Sequence, residues 1–376
     1  MNVVFTLCSN SYLAKAKTLG DSLAHYCPDY TFIIGLVDRL DSGIDYQFFK
    51  NFVILSVEEI ELPERGDMIS RYNLVEFVTA VKPFYFKAIQ DRYPHVENMI
   101  YLDPDTCVYH DFSEIEDLLK QHAILLTPHL LKAQQESIDH QLPAGRLLFE
   151  ETNILKTGIF NLGFLALNSS QEAQKFLEWW CQRLTHRCLC APESGMFFDQ
   201  LWINFVPLFF PGAKVLDSPG YNVAWWNLKE RLLRTDNGHY RVNDDYDLIF
   251  FHYSGYNPTQ PDCISRWSQY TFEQRPDVVP LFRDYQTALT KNQYRTLAGR
   301  ESLLPLTQPL PEGYGAPPVG PWLSIAINRT RLRRLKGQVS SLLGEPLKSW
   351  LRKHRLLGRA PAPTSSVGQS RPSSRG

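Results

Sequence analysis

Asp103, Pro104 and Asp105 follow a short apolar run, residues 99–102, and precede Thr106, Cys107 and Val108. Two carboxylates at i and i+2 straight after a buried strand stand together at a sheet edge, and the proline between them stiffens the turn. Hard divalent cations such as Mg²⁺ and Mn²⁺ take oxygen ligands and are commonly held by one or two carboxylates plus substrate phosphates. A diphosphate leaving group needs such a cation, because negative charge grows on it as its bond breaks. An Asp-x-Asp also occurs in ordinary solvated turns, but here apolar segments flank it on both sides. His186, Cys188 and Cys190 come near a second metal-ligand spacing. No further Cys/His pair completes a tetrahedral set, so no zinc site is expected there.

The carboxylates need a strand to deliver them and a sheet to hold that strand. Residues 2–7 read as an apolar strand, followed by the polar turn Cys8-Ser9-Asn10-Ser11. Tyr12, Leu13, Ala16, Leu19 and Leu23 then keep a helical period. Residues 31–38 read as a second buried strand ending on an acidic residue, and 53–57 as a third. This alternation over short connections predicts an α/β fold with a mostly parallel central sheet flanked by helices. The loop after the first strand then lies at the carboxyl edge of the sheet, where open α/β folds bind ligands. Residues 73–91 are expected to be helical, broken at Pro83. Further strands are expected over 123–127, 163–168 and 248–252, and helical stretches over 171–187 and 197–206.

The composition, 44% hydrophobic and 21% charged over 376 residues, is that of a globular protein with ample material for a core. Aromatic residues reach 13% and cluster, as in Phe84-Tyr85-Phe86 and Trp225-Trp226, which is read first as core packing. A formal net charge of −1 argues against a nucleic-acid partner. Seven irregularly spaced cysteines fit reduced thiols in a cytoplasmic compartment. No signal peptide and no membrane-spanning run is expected. Residues 1–285 are expected to form the main domain, 286–321 a Pro/Gly-containing linker, 322–358 a basic amphipathic helical segment and 359–376 a disordered tail. In the third of these, Arg329, Arg331, Arg333, Arg334 and Lys336 interleave with Trp322, Ile325, Leu332 and Leu335. Such a segment either lies on the cytoplasmic face of a membrane as a peripheral anchor or packs on the main domain. Liposome flotation with and without residues 322–376 separates the two.

The segment YLDPDTCVY resembles the Asp-x-Asp block of family 8 and related GT-A glycosyltransferases. Three other segments are similar to that family's blocks, in the family's order: FNLGFLALN to Phe-Asn-x-Gly, FFDQLWIN to Asp-Gln, and FHYSG to His-x-x-Gly. The opening TLCSNSYL is similar to its nucleotide-binding first loop. The resemblance covers roughly residues 1–285 and implies a Rossmann-like GT-A fold that uses a nucleotide-diphosphate sugar, a UDP-sugar foremost, with Mn²⁺ or Mg²⁺. It implies metal ligation by Asp103, Asp105 and His252, nucleotide contacts from Thr6, Ser9, Asn10 and the Asp103 region, and sugar contacts from Asn161, Asp199 and Gln200. Lys82 is placed to meet phosphate or sugar, against the alternative of a solvated helix cation. For the others the plain alternatives are a satisfied core histidine at His252, a surface carboxylate at Asp199 and a turn residue shaping Gly163 at Asn161.

One departure stands out. The family commonly continues His-x-x-Gly-x-x-Lys, whereas Gly255 is followed here by Tyr256, Asn257 and Pro258. Either Lys82, Arg231 or Arg266 supplies the missing cation, or the chain is a relative outside the family proper, the reading favoured here. The resemblance implies retention at the anomeric carbon, with Asp199 and Gln200 nearest to stabilising an oxocarbenium-like centre. The acceptor class, glycan, lipid or protein, is open. The competing classes are a sugar-nucleotide nucleotidyltransferase, which usually carries a Gly-rich basic first loop that TLCSNSYL lacks, and a non-catalytic GT-A-like binding protein.

Overall fold

The structure is a computed structural model that describes residues 1–133, 151–236, 238–268, 270–306 and 308. All of these belong to one compact unit. The basic segment and tail expected over 322–376 lie outside the described residues, as do residues 307 and 309–321 of the expected linker. No helix among the described residues is long and apolar enough to cross a membrane.

Seven strands form the central sheet. They are β1 (Asn2–Cys8), β2 (Thr31–Leu36), β3 (Val53–Ser56), β4 (Asn98–Leu102), β6 (Ile124–Pro128), β7 (Phe160–Asn168) and Ala213–Val215. A further strand, β5 (Thr106–Val108), lies outside that sheet. The order across the sheet is Ala213–Val215, β6, β7, β4, β1, β2, β3. Every neighbouring pair is parallel except those made by β7, which runs antiparallel to β4 and to β6. The mostly parallel sheet expected from the sequence is therefore present, with one reversed strand.

Period-two alternation sorts the strand residues into two cores. Val3, Phe5, Leu7, Met99, Tyr101, Leu165 and Leu167 pack on one face with Phe77, Phe86, Phe176 and Trp180. Val4, Ile100, Leu102, Leu125, Phe164 and Ala166 pack on the other with Leu13, Ala16, Leu19 and Leu23. Strands buried on both faces read as continuous apolar runs, which is why the first three were legible. The second face is covered by α1 (Leu13–Tyr26). The first is covered by helices that include α2 (Arg65–Arg71), α3 (Leu74–Ala80), α4 (Lys82–Arg92) and Gln171–Leu184.

Three boundaries differ from expectation. The helical break falls at Val81, and Pro83 sits in the first turn of α4, where its missing N–H costs nothing. The stretch expected to be helical over 197–206 instead begins with the strand Met196–Phe197, and its helical part starts only at Leu201. Phe198 intervenes with φ 48, a left-handed conformation that costs a bulky residue roughly 1 kcal/mol. The expected boundary at 285 falls inside the helix Val279–Lys291. That helix buries Leu281, Phe282, Tyr285 and Leu289, and Tyr285 stacks on Tyr253 with ring centroids 3.8 Å apart. Just beyond it, Asn292 donates to Thr18 Oγ1 at 3.0 Å and Asp21 Oδ2 at 2.9 Å on α1.

Candidate active site

Asp103 and Asp105 leave the carboxyl end of β4, and β5 turns back immediately. The turn closes through Thr106, whose backbone N–H and side-chain hydroxyl both donate to the Asp103 carbonyl. β5 pairs antiparallel with the strand Phe250–His252 in a register that sets His252 opposite Thr106. Tyr253 N–H donates to the Asp105 carbonyl at 2.8 Å. His252 Nε2 is thereby carried to 3.2 Å from Asp105 Oδ1 and 3.6 Å from Asp103 Oδ2. One ligand atom from each of the three residues lies within 4.8 Å of the others, and among the described residues this is the only such cluster.

In each of the three side chains one atom is anchored by the protein and the other faces the shared centre. Tyr101 donates to Asp103 Oδ1 at 2.6 Å, leaving Oδ2 on the His252 side. Lys15 Nζ lies 3.6 Å from Asp105 Oδ2, leaving Oδ1 on that side. His252 Nδ1 lies 3.3 Å from Asn222 Oδ1. An amide oxygen only accepts, so Nδ1 donates to it, and Nε2 is the ring nitrogen turned to the two carboxylates. One imidazole nitrogen and two carboxylates form a donor set that suits a divalent cation accepting mixed nitrogen and oxygen ligands. Burial pushes the Asp105 carboxyl up, but Lys15 and His252 outweigh it and hold the group well below the usual carboxylate range.

The backbone near His252 is shaped to admit it. A Cβ on Gly163 would lie 2.4 Å from His252 Cε1 and 2.7 Å from Asn161 Oδ1, so only glycine fits there. Because β7 runs against β4, its first residues meet the last of β4, and Asp103 N–H donates to the Gly163 carbonyl at 2.9 Å. Asn222 holds φ 50, a left-handed conformation that asparagine tolerates better than most residues. From there its amide reaches Thr127 Oγ1 at 2.9 Å and Asn161 Oδ1 at 3.0 Å.

Asn161 and Gln200 belong to this buried polar net. Asn161 Oδ1 accepts from Gly163 N–H at 3.0 Å, so the residue does shape that backbone. Its amide donates to Gln200 Oε1 at 3.3 Å and towards His129 Nε2 at 3.4 Å. Gln200 Oε1 also accepts from Leu162 N–H, and its amide donates to the Thr157 carbonyl at 2.8 Å. Contact with a sugar at Asn161 therefore requires one of these bonds to be exchanged.

Asp199 and Lys82 form a buried pair, Nζ to Oδ2 2.6 Å, with side chains 5% and 2% exposed. Lys82 Nζ also donates to the Leu162 carbonyl at 3.0 Å and lies 4.2 Å from the centre of the Tyr101 ring. Neither the solvated helix cation nor the surface carboxylate weighed from the sequence is what the fold contains. Burial pushes Asp199 above the usual carboxylate range, with Lys82 pulling the other way.

Thr6 lies within β1 and is fully buried, so it is closed off from a direct nucleotide contact, and in the loop that follows Ser9 and Asn10 are buried as well. Asn10 donates to the Arg39 carbonyl at 2.9 Å and accepts from Tyr46 at 2.8 Å. Its backbone N–H points to Asp38, the acidic residue just beyond β2. Of the cations weighed for the diphosphate, Arg231 is 2% exposed and donates to the Tyr221 carbonyl, with Glu230 at 3.5 Å. Arg266 lies beside the His252 strand end, its N–H donating to the Gly255 carbonyl at 3.1 Å and its guanidinium over Trp267. His186 pairs loosely with Glu64, and Cys188 is buried against Thr79, so neither is a ligand.

Sequence reasoning missed Lys15, Tyr101, Thr127, His129 and Asn222. Only Lys15 left a signal: a cation inside the first turn of α1, where the helix dipole disfavours it.

His129 is buried, with its ring Nδ1 3.2 Å from the Ile159 carbonyl. Burial pushes it from 6.5 down to about 4. Between those values the unfolded chain binds a proton that the folded chain does not, so stability rises with pH across that window. The contribution is complete above the unfolded value and is lost as pH falls towards the folded one, by up to about 3 kcal/mol. Urea midpoints should therefore fall more steeply on acidification in the native chain than in His129→Gln. Equal slopes in the two proteins would show that His129 titrates alike folded and unfolded.

No protein-family model matches the chain. It is similar to the uncharacterized proteins YfnF and YfnD of Bacillus subtilis strain 168. The identity to YfnF is 27% over 212 residues, covering 56% of this chain and 66% of YfnF. The chain thus spans about two thirds of that relative. For YfnD the identity is 22% over 283 residues, covering 74% of this chain and 86% of YfnD. Among solved structures it is similar to the galactosyltransferase LgtC in complex with donor and acceptor sugar analogs. That match has a TM-score of 0.44 and 15% identity over 77% of this chain and 96% of LgtC. It is also similar to the apo form of the glycosyltransferase GlyE of Streptococcus pneumoniae TIGR4. There the TM-score is 0.41, with 12% identity over 79% of this chain and 64% of GlyE.

Proposed function

We propose that the chain is a metal-dependent GT-A glycosyltransferase that moves a sugar from a nucleotide-diphosphate sugar, a UDP-sugar foremost, to a glycan, lipid or protein acceptor. The observation that carries this reading is the convergence of Asp103 Oδ2, Asp105 Oδ1 and His252 Nε2 at the carboxyl edge of the sheet. Asp103, Asp105 and His252 would hold Mn²⁺ or Mg²⁺. When bound, that cation offsets the charge that develops on the diphosphate.

The chain's own residues then have distinct tasks. The loop carrying Ser9 and Asn10 lies at the same edge and flanks the nucleotide, with Thr6 supporting it from beneath. Asn161 faces the sugar, held by Gln200 and Asn222. Asp199 and Gln200 stabilise positive charge at the anomeric carbon, and Lys82 opposes the burial that favours the neutral form of Asp199. Retention follows the same logic: the bond from the anomeric carbon to the phosphate oxygen breaks, and the acceptor oxygen bonds on the same face. The acceptor proton passes to the leaving phosphate, so no separate strong base is required.

A panel of UDP- and GDP-sugars with Mn²⁺, read by hydrolysis and by thermal stabilisation, tests the proposal. Turnover of at least one donor, abolished by chelation, is the expected result. Stabilisation without turnover would instead indicate a binding protein. Pyrophosphate release from UTP and a sugar phosphate would indicate a nucleotidyltransferase.

A further inference from the structure

Lys15 is the one anchor of the three metal-facing side chains that carries a charge, and it sits where local rules disfavour it. It is 6% exposed in the first turn of α1, with no acidic residue in that turn. A cation there opposes the helix dipole, and a buried lysine loses hydration. Two groups offset these costs. The Tyr12 ring lies 4.5 Å from Nζ, and Asp105 Oδ2 lies 3.6 Å from it. The ammonium is thus enclosed between an aromatic face and one oxygen of the carboxylate, while the other oxygen faces His252.

We propose, building on the metal reading above, that Lys15 is a positioning residue that restricts Asp105 to a single ligating oxygen and thereby sets which divalent cation the site prefers. Ca²⁺ takes six to eight oxygen ligands and readily accepts both oxygens of a carboxylate at about 2.3–2.6 Å. Mg²⁺ holds to six ligands at about 2.0–2.1 Å, and Mn²⁺ likewise suits a six-coordinate site. With Asp103 Oδ1 accepting from Tyr101 and Asp105 Oδ2 ion-paired with Lys15 at 3.6 Å, each carboxylate turns its other oxygen towards the shared centre. The protein's share is then two oxygens and one imidazole nitrogen, which suits Mn²⁺ and disfavours Ca²⁺. Releasing Asp105 Oδ2 lets the carboxylate swing to a two-oxygen grip.

A purely electrostatic role for Lys15 makes a different forecast. Removing one positive charge strengthens attraction for every divalent cation alike and leaves their ratio unchanged. The deciding measurement is therefore the Mn²⁺/Ca²⁺ affinity ratio of the full chain. It can be read without any donor, by calorimetry for both ions and by the free-Mn²⁺ electron paramagnetic resonance signal. The native chain should prefer Mn²⁺, Lys15→Met should lower the ratio roughly tenfold, and Lys15→Arg should restore most of it. Circular dichroism and thermal midpoints establish that each variant is folded, and Lys15→Gln takes the place of Lys15→Met should the latter not fold. An unchanged ratio in a folded Lys15→Met or Lys15→Gln protein overturns the proposal. So does failure of both to fold, which assigns Lys15 to folding alone. If the native chain binds neither ion, the metal reading itself falls, an outcome distinct from an unchanged ratio.

Discussion

Asp103→Ala should lower metal-dependent donor turnover by about a thousandfold or more, equivalent to roughly 4 kcal/mol of lost transition-state stabilisation. Its cost to the fold should be small. The Asp103 side chain is 30% exposed, and its main internal partner is the Tyr101 hydroxyl at 2.6 Å. Leaving that hydroxyl without its acceptor costs about 1–2 kcal/mol. Asp105→Ala should match it in activity but lose more stability, because it also strips Lys15 of its buried carboxylate. From the sequence alone the two variants are expected to behave alike, and the structure separates them. Donor hydrolysis with Mn²⁺, paired with urea denaturation of the metal-free proteins, measures both quantities. Native-like turnover in a folded Asp103→Ala protein would remove the basis of the metal reading.

Lys82→Met should destabilise the protein by about 3–5 kcal/mol even without metal or donor, because it leaves Asp199 buried without its counter-charge. The double variant Lys82→Met with Asp199→Asn should recover a large part of that loss, since the orphaned charge is then gone. Equilibrium denaturation of the single and double variants decides it. A Lys82→Met protein as stable as the native chain, yet impaired only in donor binding, would return Lys82 to a contact of phosphate or sugar.

The legible parts of the site were those that chain continuity brings together. Asp103 and Asp105 are neighbours in the sequence, and the apolar run before them marks the strand that delivers them. His252 could be placed only through resemblance, because its approach to Asp105 depends on the pairing of β5 with Phe250–His252. Asn222 left no mark at all. Its role arises from a left-handed backbone conformation and from three partners scattered along the chain. The direction of β7 was equally hidden, since alternation reports which face a residue occupies and not which way the strand runs. The helical expectation over 197–206 failed at Phe198, where tertiary packing holds an aromatic residue in a conformation its own propensity opposes. Lys82 shows the converse problem. Its residue type says only that it is charged, and whether it faces water or Asp199 is settled by the packing of α4 on the sheet.

The helix Val279–Lys291 bears on where this chain can be shortened. Its Tyr285 ring backs Tyr253, the neighbour of His252, and Asn292 just past its end ties down α1, the helix that bears Lys15. A chain ending at residue 285 would keep Asp103, Asp105 and His252 and yet lose the Asn292 tie to α1 and leave Tyr285 at the end of a truncated helix. The smallest self-sufficient folding unit therefore extends beyond Asn292, and trimming tolerance at this end follows the buried contacts rather than the change in composition.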